Sequence, residues 1–129
     1  MMESFVPTST DPIIPASSNL SLLQDDSSGL ILVLEAPDET SYEIHFPGHL
    51  AYMVTDEGDR LRSMEYLTGR AATPVGCIEN SKWKGWFVEE SLGIREADQL
   101  IHWCIVTPND ISDIIALESP VVKVRAGNA

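Results

Sequence analysis

Three histidines, two cysteines and a surplus of carboxylates are the side chains here that could carry acid–base, nucleophilic or metal chemistry. His45 and His49 stand four residues apart in His45-Phe46-Pro47-Gly48-His49. On a helix that spacing would turn both imidazoles toward one metal ion, but Pro47-Gly48 breaks any helix there. A metal would also need a third ligand, such as His102 or a carboxylate. The pair therefore reads as a turn flanked by two strand-end histidines. His102 and Cys104 lie two apart in an apolar run, so on a strand they share a face. Cys104 has no sequence neighbour that would lower its pKa, and a histidine in such a run is ordinarily a core residue held by one or two hydrogen bonds. The acidic pairs Asp25-Asp26, Asp38-Glu39, Asp56-Glu57 and Glu89-Glu90 fall at turns or helix ends, where solvated acids are expected. No nucleophile elbow, phosphate loop, dinucleotide fingerprint or zinc spacing is present. The reading assigns no catalytic residue, no metal site and no cofactor.

The elements that position these side chains follow from periodicity. Leu30–Glu35 is an apolar run between Gly29 and Pro37, suited to a buried strand. Tyr42–Phe46 alternates, and Leu50–Thr55 makes a third strand. Leu61, Met64 and Leu67 fit a helix, but Gly58 sits between two short apolar runs, so Arg60–Leu67 is expected instead to return as the second arm of a hairpin. Thr68–Pro74 reads as loop and Val75–Ile78 as a short strand. Asn80-Ser81 opens a helix with Trp83, Trp86 and Phe87 at i, i+3 and i+4, ending at Gly93. Leu100–Thr107 is bulky on both faces, which predicts a central strand. A short second helix is expected over Asp110–Leu117, where Ile111, Ile114 and Ile115 again show helical spacing. Val121–Val124 is a last strand, and residues 126–129 a frayed tail.

Strands first and mixed elements after predict an α+β fold: a mostly antiparallel sheet of about five or six strands with two short helices packed on it. Residues 1–28, rich in Pro, Ser and Thr, cannot make a helix or a central strand and are expected to form an arm. Residues 29–129 form one α+β domain. With 129 residues and 43% hydrophobic content, the chain can bury roughly two-thirds of its unfolded surface without disulfide or metal. Cys77 and Cys104 are expected as reduced, buried thiols.

Charge narrows the range of partners. Twenty acidic against eight basic residues leave a net charge of −12. Nucleic acid and anionic membranes repel such a surface, whereas a basic protein is attracted and steered to it. Met1–Phe5 lacks a basic and then apolar leader, and no run approaches the apolar length of a membrane span, so a cytoplasmic location is expected. Three tryptophans in so short a chain suggest a contact surface, because Trp is enriched where interfaces are tightest. Trp103 is expected in the core, and one of Trp83 and Trp86 partly exposed beside Lys82 and Lys84.

The segment Glu79-Asn80-Ser81-Lys82-Trp83-Lys84-Gly85-Trp86-Phe87-Val88-Glu89-Glu90-Ser91 is followed by Leu100–Ile105, Thr107-Pro108-Asn109-Asp110-Ile111 and Glu118-Ser119-Pro120. Together with Asp56-Glu57, this pattern resembles small immunity-type proteins encoded beside bacterial polymorphic toxins. The resemblance covers about half the chain and carries no residue-level binding motif. It implies an antidote that binds a cognate toxin domain tightly and blocks its active site or substrate groove. A nuclease toxin is basic, and an acidic antidote can occupy the groove meant for phosphates. The residues expected to meet the partner are Asp56, Glu57, Asp59, Trp83, Trp86, Glu89 and Glu90. The alternative is a small acidic chaperone for a secreted effector, of similar size and charge but ordinarily dimeric. Neither reading fixes the oligomeric state.

Overall fold

A computed structural model of the chain describes residues 2–67 and 73–125. The apolar run after Gly29 forms β3 (Gly29–Glu35), with Leu30, Leu32 and Leu34 fully buried on one face. Gly29 opens this strand at φ 122, and a Cβ there would stand 2.5 Å from the Phe46 carbonyl oxygen. Only glycine fits both conditions. β4 (Ser41–Phe46) runs antiparallel to β3 and buries Ile44 and Phe46 by period-two alternation. β2 (Asn19–Asp26) pairs with the other side of β3, and β9 (Val121–Val124) pairs with β4, so this sheet has the order β2-β3-β4-β9.

The second sheet contains β1 (Ser4–Pro7), β5 (His49–Asp56), β6 (Val75–Glu79), β7 (Ile101–Val106) and β8 (Asp110–Ala116) in the order β1-β6-β7-β8-β5, all antiparallel. The two sheets meet through Leu30, Leu32, Leu34, Ile44 and Phe46 on one side and Val75, Trp103, Ile105, Ile114 and Ala116 on the other. The rings of Phe46 and Trp103 lie 6.2 Å apart within this layer. A second apolar cluster lies on the far face of the five-stranded sheet. There Phe5, Ile78, Cys104, Val106 and Ile111 gather with Leu67, Met64 and Tyr66. Each large side chain so buried stabilises the fold by about 1.5–3 kcal/mol.

The expected antiparallel strands and the helix after Ser81 are present, the latter as α1 (Lys82–Glu90). Strands also occur at Leu30–Glu35, Tyr42–Phe46, Leu50–Thr55, Val75–Ile78 and Val121–Val124, as expected, and β7 is the middle strand of its sheet. The counts differ. Nine strands in two sheets replace one sheet of five or six, and one α-helix replaces two among the described residues.

The helix expected over Asp110–Leu117 is β8. Strand β8 lies between β7 and β5 and is buried on both faces, so isoleucines at any spacing satisfy it, and β-branched residues favour a strand. The hairpin expected over Arg60–Leu67 is an irregular segment with a 3-10 turn at Ser63–Glu65, because β5 takes its partner from β8 instead. The segment expected as an arm supplies an edge strand to each sheet, and Ile14 between those strands is buried in the inter-sheet core. The loop expected at Thr68–Pro74 falls, for residues 68–72, outside the described residues, as does the tail at 126–129. No helix among the described residues is long and apolar enough to cross a membrane.

Candidate functional site

Asn80, at φ 57, turns the chain from β6 into α1, a left-handed conformation that asparagine tolerates. Ser81 is the N-cap: its Oγ accepts the Lys84 N–H at 2.9 Å, satisfying one of the unpaired donors of the first turn. The Glu3 carboxylate accepts a second, the Lys82 N–H, at 3.1 Å. The same Ser81 Oγ lies 2.6 Å from His102 Nδ1. His102 Nε2 lies 2.7 Å from Asp113 Oδ1, and Arg60 Nη1 donates to Asp113 Oδ2 at 2.8 Å. Arg60 also donates to Thr55 Oγ1 at 2.9 Å and, through Nε, to Ser63 Oγ at 3.0 Å. The register explains the central contact. Cys104 is opposite Asp113 and His102 is opposite Ile115, so His102 and Asp113 are diagonal neighbours on one face.

Burial acts to raise the Asp113 carboxyl, but the hydrogen bonds and charges of His102 and Arg60 outweigh it and hold the group below the usual carboxylate range. Burial acts to lower the Arg60 guanidinium, and Asp113, with a smaller contribution from Tyr66, more than reverses that. An ionised Asp113 can only accept, so His102 Nε2 carries the proton and donates it. Nδ1 is paired with the Ser81 hydroxyl, 2.6 Å away. Ser81 Oγ, both His102 ring nitrogens and both Asp113 carboxylate oxygens each have a partner.

Hydroxyl, imidazole and carboxylate in this order are the parts of an activated nucleophile. The environment works against that use. Ser81 is 8% exposed and its oxygen is committed to the helix cap, Asp113 is 0% exposed, and the Trp83 ring stands edge-on to His102 at 5.1 Å. A nearby pocket of about 340 Å³ is lined by Met2, Glu3, Arg62, Ser63, Glu65, Tyr66 and Lys82, without Ser81 or His102. The chain of bonds fastens the start of α1 and the 60–66 segment to the sheet. His102 thus holds the satisfied core position expected of it. Its partners Ser81 and Asp113, and Arg60 beyond Asp113, went unidentified because the helical reading of Asp110–Leu117 directed Asp113 elsewhere. The available signal was the turn Thr107-Pro108-Asn109-Asp110 directly after a strong strand, which marks a hairpin.

The structure separates the other candidate ligands. His45, on β4, makes a 2.7 Å hydrogen bond with the Ser28 carbonyl, while His49, at the start of β5, meets Asp25 at 2.9 Å. No three His, Cys, Asp or Glu side chains among the described residues converge as a metal site. Cys77 is half-buried, and burial pushes its thiol up from its ordinary pKa. No disulfide joins it to Cys104.

The residues expected to meet a partner fall into two groups. Trp83 is half-buried against His102, Trp86 is 53% exposed, and Glu89 and Glu90 are exposed at the end of α1. Leu92 and Ile94, just after the helix, are 93% and 80% exposed and were not identified from sequence. Two aliphatic residues flanking the helix-stop Gly93, on no buried period, were the signal. Asp56 caps the turn Glu57–Asp59 by accepting the Gly58 N–H at 2.7 Å. It stands opposite Asp110, and β8 pairs Ile111 with Val106 at that end. Ser81 meets His102 near the other end of β7. Asp56–Asp59 therefore lies at the Val106 end of the five-stranded sheet, and the start of α1 at the other. Comparison with family models, curated proteins and solved structures finds no match to this chain.

Proposed function

We propose that this chain is a cytosolic binding protein that neutralises a cognate, basic toxin domain by covering its working surface. The observation that carries this reading is the exposure of three large apolar side chains on and just after α1, Trp86, Leu92 and Ile94, each more than half exposed, in a stretch that also exposes Glu89, Glu90, Glu96 and Asp98. A large aromatic and two aliphatic side chains left in water favour association, and an aromatic anchor inside a polar rim is the usual anatomy of a binding hot spot. The net charge of −12 favours a basic partner and disfavours nucleic acid and anionic membranes. The buried Ser81–His102–Asp113 arrangement has a structural account of its own, its hydroxyl oxygen accepting the Lys84 N–H while it also pairs with His102. The resemblance to immunity-type proteins points the same way.

The test is a titration of the purified toxin domain encoded beside this chain. Inhibition is expected at one-to-one stoichiometry, with an association rate that falls as salt rises. Trp86→Ala together with Leu92→Ala is expected to weaken binding by about 2 kcal/mol or more. Neutralising Asp56, Glu57 and Asp59 together is expected to slow association at low salt. Toxin activity untouched by excess chain contradicts the reading. A constitutive dimer that wraps an extended segment of an effector would instead identify a chaperone.

A further inference from the structure

Strand β5 ends the five-stranded sheet, with β8 as its one strand neighbour. Among the described residues no other backbone group hydrogen-bonds its outer edge. Natural edges are ordinarily blunted by lysines, prolines, bulges or short length. β5 is eight residues long, and its register irregularity is confined to His49–Ala51, leaving the remainder regular. Tyr52, Val54 and Asp56 alternate on one face and all three are exposed. The register sets Asp56 directly opposite Asp110, a like-charge pair that repels. Asp59 adds a third carboxylate in the turn that follows, and none of these three meets a cation among the described residues. On the same face, opposite Val54, the Ser112 hydroxyl is 2% exposed and has no hydrogen-bond partner among the described residues.

We infer that β5 is the docking edge for an extended, basic segment of another protein, a role that rests on the binding function proposed above. The segment adds as a sixth strand. Its backbone pairs with the open amides and carbonyls of β5, and its lysine or arginine side chains relieve the repulsion among Asp56, Asp59 and Asp110. A second copy of this chain is a poorer occupant, because it brings another charge of −12 to the same edge.

The experiment uses the full chain and a synthetic eight-residue peptide of alternating valine and lysine. Binding is followed by fluorescence anisotropy and by amide hydrogen exchange. The amides of residues 51–56 are expected to exchange on the order of tenfold more slowly with peptide bound. Asp56→Asn with Asp110→Asn is expected to keep the fold and weaken the peptide about tenfold. A glycine–lysine peptide of equal charge is expected to bind more weakly, because it forms strands poorly. The inference is overturned if a valine–glutamate peptide binds equally well, if protection appears away from β5, or if the double variant binds unchanged. Protection of β5 that grows with protein concentration alone overturns it in favour of a second copy. Toxin neutralisation without edge binding removes only this inference, and edge binding without neutralisation removes only the toxin reading.

Discussion

Asp113 has no exposed surface, yet it is read as charged because His102 takes one of its oxygens and Arg60 the other. Removing one partner of such a pair leaves the other charge buried alone. Asp113→Asn is therefore expected to cost about 3–5 kcal/mol, measured by urea unfolding. The acid behaviour follows from the same carboxyl. Its pKa is depressed in the folded state, so its contribution to stability is complete above the ordinary carboxylate range and is lost as pH falls through the folded value. Urea midpoints measured down the acid limb are expected to fall less steeply for Asp113→Asn than for the parent. The role of His102 was legible in the sequence, since a polar ring inside an apolar strand must find hydrogen-bond partners. Asp113 was not, because its orientation depends on whether residues 110–116 coil or extend, and three isoleucines fit both.

Helix α1 buries no residue completely, so its position depends on its first turn more than on a core-facing stripe. Ser81→Ala is expected to remove the cap, about 1 kcal/mol, and to leave His102 Nδ1 unsatisfied, roughly another 1–3 kcal/mol. Trp86→Ala is expected to change stability by less than about 0.5 kcal/mol, the usual range for an exposed position, while weakening partner binding. Thermal unfolding beside a binding titration separates the two effects. Strand β1 depends on Gly76 of β6, where a Cβ would run into the Phe5 ring and stand 2.7 Å from the Val6 carbonyl oxygen. Gly76→Ala is expected to cost about 1–3 kcal/mol and to speed hydrogen exchange in β1 first. Most strand positions were legible as apolar runs and alternations. The pairing of Ser4–Pro7 with β6 was not, because a Pro/Ser-rich segment says where it cannot go, a sheet centre, and not which edge it will take.

At the scale of the whole molecule, sheet number was the least legible property. β4 and β5 are separated only by Pro47-Gly48 and were expected in one sheet, yet they belong to different sheets, β4 pairing with β3 and β9, β5 with β8. That division is set by contacts between residues far apart in sequence, which local periodicity does not encode. Net charge was fully legible, and its consequences are global. Self-repulsion at −12 destabilises the folded chain, so raising salt from about 20 to 200 mM is expected to raise the melting temperature while slowing capture of a basic partner. The most direct test of the binding role is growth rescue. The C-terminal domain of the protein encoded immediately upstream, as candidate toxin domain, is expressed in a heterologous host, alone, with this chain, and with its Trp86→Ala, Leu92→Ala variant. Arrest by the toxin domain, rescue by the parent chain and loss of rescue by the folded variant are the predicted result. Arrest that the parent chain does not relieve, or a toxin domain that causes none, would contradict it.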